Sequence, residues 1–304
     1  MGKKVKELLE RYTKYLELER SISPLTVRNY TTDIKGFLDF LKVEKISSLN
    51  EVDRLTMRRY LGWLQWRGIA RASIGRKLST LRSFYRYLTR EELTSAQPLQ
   101  TLSTPKLEKR LPTFLTADEV LRLLEATDTS APQGLRDRAL LELLYAAGLR
   151  VSEIVSLDLS GVDLDSLQIR VAGKGSKERI ALIGKPAAEA IKLYLDLGWK
   201  KLRGTKNNQA LFLNRYGDRI SQRQIQNLVA RYARKAGLEE RVFPHIMRHT
   251  FATHLLDGGA DLRTVQELLG HEKLSSTQVY THVTRSQLLR SYLAAHPRST
   301  EKGE

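Results

Sequence analysis

The chain has 304 residues, 41% of them hydrophobic, so it is too long for one typical core and too apolar for a disordered chain. It contains no cysteine, which excludes a disulfide framework and a thiolate metal site and agrees with a cytoplasmic setting. Its formal net charge of +17 points to a polyanionic partner, nucleic acid first and an anionic membrane surface second.

Met1-Gly2-Lys3-Lys4 leads into a charged helical pattern rather than the apolar stretch of a signal peptide. Lys6 stands where a myristoylation motif wants Ser or Thr. No run approaches the roughly 18 apolar residues of a membrane span, so no membrane association is expected. Val5, Leu8, Leu9, Tyr12 and Leu16 recur at helical spacing. Ser23-Pro24 reads as an N-cap with proline at the first helical position, and Val27, Tyr30, Ile34, Phe37, Leu38 and Leu41 mark one face of the helix that follows. Two more helices are predicted over 54–66 and 72–89, with no alternating strand pattern. Residues 94–112, TSAQPLQTLSTPKLEKRLP, carry three prolines and no strong period, which makes them a linker between domains at 1–93 and 113–304.

The second part opens with a capping box, Thr116 to Glu119. Helices are predicted over 117–126 and 135–147, the latter stopped by Gly148. Residues 167–172 and 178–183 read as strands around the turn Gly173-Lys174-Gly175-Ser176, with Ala210 to Leu213 as a short strand joining them. Helices return over 186–196, 221–236, 245–256, 261–269 and 286–295. The expected fold is mainly α with a small antiparallel β-sheet, an all-helical N-terminal domain preceding an α+β one.

Both halves are basic: residues 1–105 carry 20 basic and 11 acidic side chains, and residues 106–304 carry 31 and 23. Between 54 and 90 stand Arg54, Arg58, Arg59, Arg71, Arg76, Lys77, Arg82 and Arg86, with further arginines and not one carboxylate. Such a face binds phosphates by counterion release and can read guanine edges from a helix. The bland alternative is a solvated basic face over an aromatic core, and Tyr60, Trp63, Trp66, Phe84, Tyr85 and Tyr87 are read as that core.

Five segments of the second part hold polar residues that packing does not ask for. Arg150, in GLRVSE, sits just past a helix end, where a guanidinium can be aimed at a phosphate, and Glu153 is placed to orient it or to cap the next helix. Lys174 lies at a glycine-rich hairpin tip that is not a Walker loop. His245 and Arg248, in HIMRHT, share a helix face. The missing Glu after His245 argues against zinc, and His249 and His254 read as structural hydrogen-bond partners. His271 follows the helix-ending Gly270, and Tyr280 follows Ser275-Ser276-Thr277-Gln278. Each signal alone has an ordinary structural explanation.

Taken in order and spacing, the set resembles the tyrosine recombinases (the integrase family), and among them the XerC/XerD type. The resemblance spans nearly the whole chain. It rests on HIMRHTFATHLLDGGADLRTVQELLGHEKLSSTQVYTHV, GLRVSEIVSL, ISPLTVRNYTTDIKGFLDFL and IGRKLSTLRSFYRYL. Met247 stands where Leu is usual, a swap of similar volume.

The resemblance implies a helical core DNA-binding domain and a catalytic domain forming a C-shaped clamp on duplex DNA. It implies a catalytic set of Arg150, Lys174, His245, Arg248, His271 and the nucleophile Tyr280, which would form a 3′-phosphotyrosine without metal or other cofactor. It implies a tetramer on two DNA sites, of this chain alone or with a paralogue, leaves activation by a DNA translocase open, and makes chromosome dimer resolution the expected use. It also favours docking of the C-terminal helix onto a neighbouring protomer over docking onto its own domain. The alternatives are a mobile-element integrase of the same chemistry, a type IB topoisomerase and, in another class, a non-catalytic DNA-binding protein.

Overall fold

The computed structural model describes residues 2–20, 22–100, 102, 114–172, 178–238, 242–270 and 285–299. Contacts divide the chain into two units, Met1–Arg110 and Leu111–Glu304.

The first unit is helical: α1 (Gly2–Leu18), α2 (Pro24–Val43), α3 (Arg54–Trp66) and α4 (Arg71–Arg90). Ser23 caps α2 by accepting from the Thr26 amide, and Asp53 caps α3 by accepting from the Thr56 amide at 2.7 Å. The buried stripes of the four helices meet in one core, in which Tyr12, Phe37, Phe40, Tyr60 and Phe84 are the largest of the fully buried side chains. Several of their rings meet edge-on or tilted, as Phe37 and Tyr60 do at a centroid distance of 5.0 Å, a geometry favoured by the ring quadrupole.

The second unit is built around α6 (Pro132–Ala146), a helix buried on nearly every side. A helix so enclosed should be apolar all round. Asp137 and Glu142 break that rule, and each is paired. Asp137 takes Arg136, Arg231 and the Tyr232 hydroxyl, while Glu142 takes Arg138 and Arg298. Packed around α6 are α5 (Ala117–Glu125), α7 (Val151–Ser156), α8 (Lys185–Leu193), α9 (Lys200–Arg203), α10 (Gln222–Lys235), α11 (Pro244–Asp257), α12 (Leu262–Leu269) and α13 (Arg285–Ala295). The predicted capping box at Thr116 and Glu119 is present.

The sheet is antiparallel, in the order β1 (Val162–Asp163), β2 (Gln168–Ala172), β3 (Glu178–Leu182). Ile169 pairs with Ala181, and both are buried against the core. The segment Ala210 to Leu213, expected to join this sheet, does not. All four residues are buried rather than alternating, and their donors are used elsewhere. The Leu211 amide donates to Leu157 and the Leu213 amide to the Tyr194 hydroxyl, leaving only isolated bridges, Asp158 to Ala210 and Leu213 to Arg219. The helix expected over 186–196 runs on from α8 through a π-helical turn, Tyr194–Trp199, into α9.

Within the single chain, the described part of the C-terminal helix packs on its own unit. Tyr292 is fully buried and donates to the Ala146 carbonyl at 3.0 Å. Gly258 lies so close to α13 that a Cβ there would sit 2.2 Å from the Ala295 carbonyl oxygen. Beyond the helix, Arg298 binds Glu142 at 2.7 Å, which ties this segment to α6. Among the described residues no helix is long and apolar enough to cross a membrane, and no cluster of three His, Asp or Glu side chains could hold a metal ion.

Candidate active site

The site begins where α6 ends. Gly148 adopts φ +54°, and its Cα faces the Phe251 ring so closely that a Cβ would lie 2.5 Å from it. Only glycine satisfies both conditions. The turn leaves the Gly148 carbonyl facing α11 and places Arg150 at the N-cap of α7.

Glu153, buried at 5% exposure, then gathers this corner. Its Oε2 accepts from the Arg150 amide at 2.7 Å, its Oε1 from the Arg150 guanidinium at 2.8 Å, and Oε2 also from Arg179 at 3.1 Å. The residue thus does both things expected of it, orienting Arg150 and capping α7. Arg150 keeps a half-exposed side chain and can still reach outward.

Arg248, in the second turn of α11, is buried and tied by carbonyls. Nη1 donates to Gly148 at 2.6 Å and Nη2 to Leu269 at 2.8 Å. Burial, followed by the neighbouring charge of Arg150, lowers its pKa to about 10, so it remains a cation at neutral pH. Two arginines 98 positions apart in sequence therefore share one corner, their cationic ends fixed by α6, α7, α11 and the end of α12. Planar forks held this way suit the paired oxygens of a phosphate.

Arg179 is the residue that sequence reasoning missed. It lies on β3, donating to Glu153 and to the Leu268 carbonyl at 2.9 Å, and burial lowers its pKa against the opposing pull of Glu153. A signal was present: it shares the inward phase of the strand with Ala181, an unusual place for an arginine. Its side chain packs on Gly270, where a Cβ would come within 2.7 Å of its Cδ and Nε.

His245 stands exposed in the first turn of α11, one turn before Arg248. His254 is buried against the Tyr145 hydroxyl at 2.8 Å, a structural partner as expected. Lys174, His271 and Tyr280 lie outside the described residues. In the chain, Lys174 belongs to the connection between β2 and β3, and His271 directly follows Gly270.

The basic run of the first unit is exposed at Arg54, Arg58, Arg59, Arg71, Arg76 and Arg86. Its freedom from carboxylates is a property of the sequence and not of the fold. Asp33 of α2, fully buried, binds Arg76, Lys77 at 2.9 Å and Thr80 at 3.2 Å. Arg59 pairs with Glu44 at 2.8 Å, and Arg82 donates to the Leu102 carbonyl. The interleaved aromatics are core residues except Trp66, which is 84% exposed at the end of α3.

A model of the phage integrase family matches residues 113–287, and a model of the phage integrase N-terminal SAM-like domain matches residues 9–92. Tyrosine recombinase XerC of Pelotomaculum thermopropionicum is 47% identical over 300 residues, covering 96% of this chain and 98% of the relative. Tyrosine recombinase XerD of Staphylococcus epidermidis is 42% identical, covering 96% and 99%. The structure of the XerH site-specific recombinase bound to a palindromic difH substrate after cleavage is similar at a TM-score of 0.70 and 25% identity, covering 95% of this chain and 81% of that one.

The matched catalytic domain and the relatives identify an enzyme of site-specific DNA recombination, which the corner of fixed guanidiniums suits, and the chain belongs to the phage integrase family. Within that family it is a tyrosine recombinase of the XerC/XerD type.

Proposed function

We propose that the chain cuts and rejoins duplex DNA through a 3′-phosphotyrosine at Tyr280, with Arg150 and Arg248 holding the scissile phosphate. A phosphodiester resists attack because its charge repels nucleophiles, and the transition state adds charge to the non-bridging oxygens. Two guanidiniums neutralise that charge, and each lost donor costs about 2.7–4 kcal/mol of barrier, by analogy with oxyanion donors. The Tyr280 phenol, with an ordinary pKa of about 10, gives its proton to His245 and attacks phosphorus. The phosphorus–O5′ bond breaks, and the departing oxygen takes a proton from Lys174. His271 donates to a phosphate oxygen. The ester keeps the bond energy, so a free 5′ hydroxyl of the same or another duplex reverses the step without ATP.

The reading extends to the domains, with residues 1–93 gripping DNA, 94–112 linking and 113–304 catalysing. It extends also to resolution of chromosome dimers by a tetramer on two sites, formed by this chain alone or with a paralogue and open to activation by a DNA translocase. The observation that carries the catalytic proposal is the shared corner of Arg150 and Arg248 at Gly148 and Glu153. The test is Tyr280→Phe on a nicked duplex. The variant should bind DNA and form no SDS-resistant adduct, whereas adduct formation at the wild-type level would remove Tyr280 from this role.

A further inference from the structure

A hollow of about 240 Å³ opens beside the first half of α10, away from the Glu153 corner, between the turn at 214–220 and the start of α6. Its polar lining is Arg136, Asn214, Arg215, Gln224, Asn227 and Arg231. Arg136 is buried, with Nε and Nη2 on Asp137 at 2.8 and 2.6 Å and Nη1 on the Leu213 carbonyl at 2.8 Å. Arg231 donates to the other Asp137 oxygen at 2.6 Å and keeps a largely exposed side chain. Asp137, the carboxylate that binds both arginines, is therefore fully buried, with both oxygens engaged.

The amides are oriented as well. The Asn214 side-chain oxygen accepts from the amides of Tyr216 at 2.8 Å and Asp218 at 3.1 Å. The Gln224 side-chain oxygen accepts from the Ser221 amide at 2.8 Å. What these side chains still have to offer is their NH₂ groups. Three guanidiniums and three amides line the hollow, while Asp137 is spent on Arg136 and Arg231 and Asp218 of the flanking turn pairs with Lys206, so the lining is cationic and rich in donors. That chemistry selects an oxyanion.

The protein's field selects which oxyanion. A chain of net charge +17 whose substrate is a duplex brings phosphodiesters to its surface in far greater number than any carboxylate. Arg136 and Arg150 are 14 positions apart along α6 and the turn after it, roughly 20 Å at helical rise. That is shorter than one turn of DNA, about 34 Å, so one duplex could supply both places. We infer that the hollow is a second phosphate seat, which takes a non-scissile backbone phosphodiester of the bound DNA and fixes the register of the duplex. The inference rests on the DNA-cleaving reading above.

The test uses the full chain carrying Arg215→Ala and Asn227→Asp, two exposed positions that leave the Asp137 cluster intact. Duplex binding is followed by fluorescence anisotropy over a salt series, with thermal melting as the check on folding. The slope of log K against log salt should flatten by about 0.9, which is roughly an eightfold loss of affinity at 0.1 M salt. A scan of single methylphosphonates should find one non-scissile position where neutralisation weakens wild-type binding and leaves the double variant unaffected. A folded variant with the wild-type slope and wild-type sensitivity at every position overturns the inference. So does a variant that binds DNA normally and loses only an acidic peptide. Adduct formation on nicked duplex at saturating DNA keeps the two readings apart. A wild-type adduct with an unchanged slope sinks the phosphate seat alone, whereas no wild-type adduct sinks the cleavage reading.

Discussion

Two buried carboxylates, one in each unit, show how the same device serves different ends. Asp33 and Glu153 each lie nearly out of solvent and each collect two cations. The partners of Asp33 come from successive turns of a single helix, α4, so the cluster fastens α2 to α4. The partners of Glu153 come from separate elements, Arg150 before α7 and Arg179 on β3. A third cation, Arg248, joins the corner, held by the carbonyls of Gly148 and Leu269. Asp33 closes a helix pair, whereas Glu153 gathers cations that separate elements bring to one corner. The comparison teaches that a buried acid fed by one neighbour is a rivet, while one fed from several directions assembles a site.

Removing an acid from the first cluster or a cation from the second should separate the two ends. Asp33→Asn should have the largest effect on stability, about 3–5 kcal/mol by chemical unfolding, because two cations lose their buried counter-charge. At temperatures where the variant is folded, cleavage of a nicked duplex at saturating DNA should be close to wild type. Arg248→Ala should reverse that pattern, slowing adduct formation about 10²–10³-fold while DNA binding persists, and a rate within threefold of wild type would end the analogy with oxyanion donors.

Acid should probe the packing behind the site. His254 and His296 are buried, and burial depresses both, His296 to about 3. A histidine held neutral in the fold binds fewer protons than it does unfolded. Stability is thus full above the unfolded value near 6.5 and falls as pH drops from there toward 3, by at most about 1.4 kcal/mol per pH unit for each group. His296→Gln should flatten this acid slope in a pH series of urea melts. The smallest effect is expected of Tyr292→Phe, which loses one buried hydrogen bond to Ala146 and should cost about 1 kcal/mol.

Most helices were legible because periodicity and caps report local geometry. Ser23-Pro24, Thr116 with Glu119, and Gly148 each end or begin a helix where the sequence says they should. What stayed hidden depends on who meets whom. Ala210 to Leu213 looks like a strand because it is short and apolar, yet its amides bond to Leu157 and Tyr194 from outside any ladder. The π-helical turn before Trp199 leaves no mark on a period of 3.6. The basic run of α3 and α4 holds no carboxylate of its own, and the acids that meet it, Asp33 and Glu44, come from α2 and the residue after it. At the site, Arg150 and Arg248 were found through the family pattern. Arg179 was passed over because a strand arginine looks like surface until its phase is compared with Ala181.

Gly270 carries one more consequence. Its φ of +68° excludes ordinary side chains from the backbone, and the Arg179 stem blocks the same position through space. Position 270 is therefore doubly constrained, once by torsion and once by a neighbouring side chain. A substitution here cannot be rescued by relaxing either lock alone. Saturation mutagenesis should find residue 270 among the least forgiving positions of the chain.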